Sequence, residues 1–218
     1  MKKAKALAEG KLSGRTWFNL CLFGLIGQVA WNLENMYFNT FMYETVYEKG
    51  EVISATLPYM SAIKWMVGLS AVTAVVATFI MGNLSDKMNK RKVFISAGYL
   101  VWGVVTIAFG FLTKENIGNL FNITDAAKVV FVTSVSIIIM DCIMTLIGST
   151  SNDSAFNAWV TDVTTTKNRA TAESVLAILP IVAMLVVMIS AGMITSFGGG
   201  DLAKGYTIYF IALGACVC

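Results

Sequence analysis

The chain has 218 residues, of which 56% are hydrophobic and only 13% charged, and its mean hydropathy is +0.70. A soluble domain carries roughly 25% charged residues, so this composition excludes a water-soluble globule, a disordered chain and a disulfide-rich secreted scaffold. It leaves a polytopic protein of the lipid bilayer. The net charge of +3 is too weak a balance for a nucleic-acid binder. The chain has no histidine, which removes imidazole bases, His-dependent triads and most catalytic zinc sites. Cys21, Cys142, Cys216 and Cys218 lie in apolar runs and read as small hydrophobes. Two prolines and long apolar stretches point to helices, since barrel strands would alternate over about ten residues.

A helix needs about 20 residues to cross a bilayer core. In chain order the sequence predicts a long first span over 16–46, a second over 57–82 and a third over 93–113. A fourth runs over 127–148 and then turns polar. A fifth covers 171–197 with Pro180 inside it as a kink, and a sixth begins near 205. The fold class expected is an all-α integral membrane bundle, with residues 1–15 as a leader and 16–218 as a six-helix transmembrane domain. From 205 to the last residue is too short to cross comfortably, so the sixth helix is expected to be truncated and the chain to be part of a longer protein.

Lys2, Lys3, Lys5, Lys11 and Arg15 precede the first span, Lys87, Lys90, Arg91 and Lys92 follow the second, and Lys167 and Arg169 follow the fourth. These alternate segments hold eleven of the 16 basic residues. The asymmetry predicts a cytoplasmic N-terminus and a multi-pass protein of the cell membrane. The first apolar stretch is too long for a cleavable signal core.

Polar residues inside a span are costly, so their placement carries information. Gln28, Asn32, Asn35 and Asn39 recur at spacings of 4, 3 and 4, which sets four amides on one helical face, flanked by Trp31 and Glu34. Asp141, Thr145, Gly148 and Asn152 repeat that spacing in the fourth span. Ser61, Lys64, Gly68, Ala71, Val75, Thr78 and Gly82 form a stripe in the second, which reads as a close helix seam, with Lys64 able to snorkel. Amides aimed at lipid would be heavily penalised. They serve either as glue between helices or as the wall of a hydrophilic transport cavity. Asp141 lies about 21 Å into its span, where a carboxylate needs a cation, strong donors, a wet pocket or a proton. Glu34 is a second acid of this kind.

The loop after the second span carries Gly82, Asp86 four residues on, and then Lys90, Arg91 and Lys92. This resembles the signature loop of the major facilitator superfamily. Ile139-Met140-Asp141 looks like the corresponding triplet of the melibiose-permease group, the glycoside–pentoside–hexuronide:cation symporters. The stretch Ala155-Phe156-Asn157-Ala158, then Asp162, then Asn168-Arg169-Ala170 is similar to the segment joining the fourth and fifth helices of those relatives. The resemblance implies the N-terminal six-helix half of a roughly twelve-helix secondary active transporter, with a C-terminal half as its missing partner. It implies a sugar-type substrate, and sugar hydroxyls bound at the Asp141 position. The chain departs from the family where sodium-dependent members carry two aspartates, with Ala74 and Thr78 at those positions, and Thr145 replaces an aromatic.

The resulting expectation is cation-coupled transport of a small molecule, a carbohydrate, by alternating access, with no cofactor, no metal, no nucleic acid and no enzymatic chemistry. Gln28, Trp31, Asn32, Asn35, Asp141 and Thr145 are expected to bind substrate. Asp141 and Glu34 are expected to couple it to a proton or to sodium. Gly82, Asp86 and Arg91, with either Asp153 or Asp162, are expected to form a conformational latch. The competing expectation is a scaffold or sensor derived from a transporter fold.

Overall fold

The computed structural model describes residues 12–48, 57–88 and 91–218, and within 57–88 the side chains of Asp86 and Met88 lie outside that description. The role expected of Asp86 therefore falls outside the described residues. All regular structure among the described residues is helical.

Helix α1 runs over residues 14–46. Ser13 caps it, its side chain accepting from the Thr16 amide at 3.1 Å. Helix α2, Tyr59–Met88, starts just after Pro58, where a missing N–H costs nothing. Helix α3 is Arg91–Phe109, and α4 is a short helix, Lys114–Phe121, capped by Thr113 and ended by left-handed Asn122. Helix α5 spans Ala126–Val163, with Asp125 as its cap. Helix α6 spans Arg169–Gly198 and is closed by Gly199 and Gly200, both at positive φ, a turn that favours glycine. Helix α7 is Leu202–Val217, capped by Asp201.

Tyr59–Ser85, Arg91–Phe109, Ala126–Val163 and Arg169–Gly198 are long and apolar enough to cross a membrane, and Leu202–Val217 is a shorter apolar helix. The fourth predicted helix, apolar to residue 148 and polar beyond it, is longer than its apolar stretch. Its polar continuation stays helical as a π-helical segment, Ser149–Phe156, and the helix runs on to Val163. Helix α1 widens the same way at Glu34–Phe38 and at Met42–Val46. Wide π turns are rare and occur often at functional sites. They also rotate every later side chain relative to a regular helix, so a spacing of 4, 3 and 4 no longer marks one face.

Helix α1 packs on α6, α2 on α5, and α3 on both α7 and α5. The α3–α7 contact is close: a Cβ on Gly103 would stand 2.5 Å from the Gly214 carbonyl oxygen. Beside it lies an aromatic core in which Phe38 stacks on Phe109 at 3.5 Å and both meet Phe210 edge-on. The stripe on α2 is not a tight seam along its whole length, since nothing lies within 4 Å of a Cβ added at Gly68. Much of α2 instead turns Val72, Val75, Phe79 and Ile80 outward, which suits an apolar surrounding.

Candidate functional site

The first widened turn of α1 begins at Glu34, which is buried at 6% exposure. Its Oε1 accepts a hydrogen bond from Thr145 Oγ1 of α5 at 2.8 Å. The Thr145 hydroxyl is in turn hydrogen-bonded to the Ser70 hydroxyl of α2, and Asp141 lies one turn before Thr145 on α5. Three helices are thus tied through Glu34, Thr145 and Ser70, beside the second buried acid, Asp141. Asp141 is 4% exposed and Thr145 2% exposed.

These groups line a cavity of about 240 Å³ whose walls include Trp31, Glu34, Asn35 and Asn39 from α1, Ser70 and Ala74 from α2, and Asp141 and Thr145 from α5. The Glu34 Oε2 and Asn39 Oδ1 atoms have no hydrogen-bond partner among the described residues. Buried acceptors left in this way are costly unless something else satisfies them. No basic residue is among those lining the cavity, so any charge on the two acids must be balanced by a cation or removed by a proton.

Among the residues expected to bind substrate, the structure brings together Trp31, Asn35, Asp141 and Thr145 with Glu34 at this cavity, and Asn39 joins them. Gln28 and Asn32 are not among its lining residues. The Asn32 amide donates to the Gln28 carbonyl at 2.8 Å and to the Pro180 carbonyl of α6 at 3.4 Å. Asn35 donates to the Trp31 carbonyl at 2.8 Å, leaving its oxygen available to the cavity. Ser70 was not anticipated from sequence. It lies one position off the noted stripe of α2, and no local pattern links it to residues more than 70 positions away.

Below the cavity, toward the end that carries Arg91 and Arg169, lies a second polar knot. Asn152 Nδ2 donates to Asp153 Oδ1 at 3.1 Å, and its Oδ1 accepts from the Tyr99 hydroxyl at 2.9 Å. That hydroxyl is also bonded to the Phe23 carbonyl at 2.8 Å. The Trp31 indole meets Trp102 edge-on at 5.3 Å. Through Asn152, Asp153 is therefore a member of an interior network. Asp162 is the acid that forms an ion pair with Arg91, at 2.7 Å, on a partly exposed surface. At Gly82, a Cβ would meet Ser154 Oγ at 3.3 Å, so α2 and α5 are close there.

Helical spans, a cavity lined by two buried acids and an ion pair at the basic end agree with the family comparison. A model of the Major Facilitator Superfamily matches residues 35–218. No curated protein and no solved structure matches the chain. The chain belongs to the major facilitator superfamily, whose members are membrane transporters.

Proposed function

We propose that this chain supplies substrate-binding and ion-coupling groups to a carbohydrate:cation symporter of the cell membrane. The transporter works by alternating access, with a second six-helix half closing the cavity from the opposite side. The observation that carries this reading is the meeting of Glu34, Asp141 and Thr145 with Asn35 and Trp31 around one cavity. A neutral polyol is recognised by groups that accept and donate several hydrogen bonds without demanding charge, and an indole face suits a pyranose ring. Asn35, Trp31 and Asp141 are assigned to the substrate, and Glu34 with Asp141 to the cation. Arg91 and Asp162 form the latch at the cytoplasmic end, beside Gly82. A scaffold has no use for buried acceptors left without partners, and this sets the transporter reading ahead of it.

The test is uptake by the intact protein in proteoliposomes, using a panel of labelled mono- and disaccharides under an imposed proton or sodium gradient. At least one sugar should accumulate against its gradient, and Asp141→Asn should abolish accumulation. Sugar exchange absent across the whole panel, or undiminished accumulation by Asp141→Asn, would overturn the proposal.

A further inference from the structure

The first widened turn of α1 decides which of its side chains share a side. In a regular helix of 3.6 residues per turn, residues five apart point about 140° away from each other. A π turn closes on the fifth residue instead, and Glu34–Phe38 is such a turn, with Asn39 as the residue after it. Asn39 therefore stands one wide turn beyond Glu34, and both line the cavity. Each brings an oxygen without a hydrogen-bond partner among the described residues, Glu34 Oε2 and Asn39 Oδ1. Glu34 is 6% exposed, and its other oxygen is occupied by Thr145. Two unmet acceptors, one of them on a buried acid, call for a donor from outside the chain, since leaving either unmatched is costly.

Charge points the same way. Glu34 and Asp141 line the cavity and no basic residue does. Neither acid forms an ion pair among the described residues. The lysine within α2, Lys64, lines a separate groove with Trp65 and Gly68. One coupling cation offsets one carboxylate. A neutral substrate leaves the second charge unmatched, whereas a protonated primary amine matches it and carries three N–H donors.

We infer that Glu34 Oε2 and Asn39 Oδ1 form a subsite for the protonated amine of the transported substrate. One N–H of the ammonium goes to the Glu34 carboxylate as a charge-assisted bond, and a second goes to Asn39 Oδ1. The Asn35 oxygen and Trp31 stay available to the rest of the molecule. This rests on the proposed function for the sugar ring, and joined to that reading the substrate is an amino sugar, with an amine in place of one ring hydroxyl. Asn39, an amide of the sequence series with no role assigned to it, becomes a specificity-determining residue because the π turn sets it beside Glu34.

Calorimetric binding to the detergent-purified intact protein tests this, with glucosamine, galactosamine and mannosamine set against their parent hexoses and their N-acetyl derivatives. N-acetylation keeps the ring and removes the charge. At least one hexosamine should bind about tenfold or more tighter than both of its neutral counterparts. Glu34→Gln should bring that ratio close to one, and Asn39→Ala should lower it by about threefold or more. Should Glu34→Gln fail to fold, Asn39→Ala carries the comparison. No amine bound, neutral sugars bound as tightly as their amines, or a preference unmoved by the variants would overturn the subsite; neutral sugars that still bind would leave the carbohydrate reading standing. Ethanolamine, an amine without a sugar ring, separates the two in the other direction. Ethanolamine binding that Glu34→Gln or Asn39→Ala weakens, with no sugar bound, would keep the subsite and overturn the carbohydrate reading.

Discussion

Thr145 Oγ1 donates to Glu34 Oε1 at 2.8 Å, joining two helices across 111 positions of sequence. Both residues are buried, and the bond is one point where α1, whose turn is widened at Glu34, is fixed to α5. Interhelical hydrogen bonds in membrane proteins contribute about 0.6 kcal/mol on average and up to about 1.7. Thr145→Val should therefore lower stability by about 1 kcal/mol, and Thr145→Ser much less. Thermal unfolding of the detergent-purified intact protein measures this. Combining Thr145→Val with Glu34→Gln should cost less than the sum of the two single changes, because the partner is already gone.

Arg91 and Asp162 form a partly exposed ion pair at the basic end. Such pairs contribute about 0–1 kcal/mol, so Arg91→Ala should barely move the melting temperature. Its effect should fall on conformational preference. Cysteine-labelling rates inside the cavity should change on neutralising either residue and return toward wild type in the charge-swapped Arg91→Asp, Asp162→Arg double variant. A swap that behaves like the sum of the two single variants would remove the latch.

Helix α1 comes close to the Tyr99–Asn152 pair at Gly27, where an added Cβ would lie 2.5 Å from both Asn152 Oδ1 and Tyr99 Oη. Those two atoms are held by their own hydrogen bonds and cannot simply swing away. Gly148→Ala meets the rings of Trp31 and Trp102 in the same manner. Each substitution should destabilise by about 1–3 kcal/mol, whereas Gly68→Ala, with open space around it, should be neutral. Melting temperatures of the three variants side by side decide the matter.

Asn32 and Asn35 separate the two roles open to the amide series of α1. Asn32 is bonded to backbone on α1 and α6, whereas Asn35 borders the cavity. Asn32→Leu should shift the melting temperature and leave sugar affinity within about twofold. Asn35→Leu should weaken sugar affinity by about tenfold or more, the loss that follows when a polar contact of about 1.4 kcal/mol is removed. Equal effects of the two substitutions on affinity would contradict this division.

Much of the bundle was legible because membrane helices are written in composition. Long apolar runs, interrupted by charge and caps such as Ser13, Asp125 and Asp201, locate the starts of the long helices to within a few residues. Glu34 and Asp141 also declared themselves, since an acid inside an apolar run has few uses. The fourth predicted helix carries Asn152, but local polarity past residue 148 hid how far α5 continues, to Val163, with partners on neighbouring helices for its polar residues. The short helix α4 was masked by the same local polarity.

What the sequence determined by itself is the class of protein, the approximate helices and the two acids that have to be accommodated, since hydropathy and the cost of burying charge act locally along the chain. Only the tertiary structure decided that Ser70 and Thr145 join Glu34 at a cavity that Asp141 also lines, that Asn32 turns toward α6 while Asn35 turns to the cavity, and that Arg91 meets Asp162 while Asp153 turns inward. The reason is geometric. π turns in α1 and α5 break the regular period from which a helical face is read, and contacts between distant helices depend on packing that no spacing along one segment encodes.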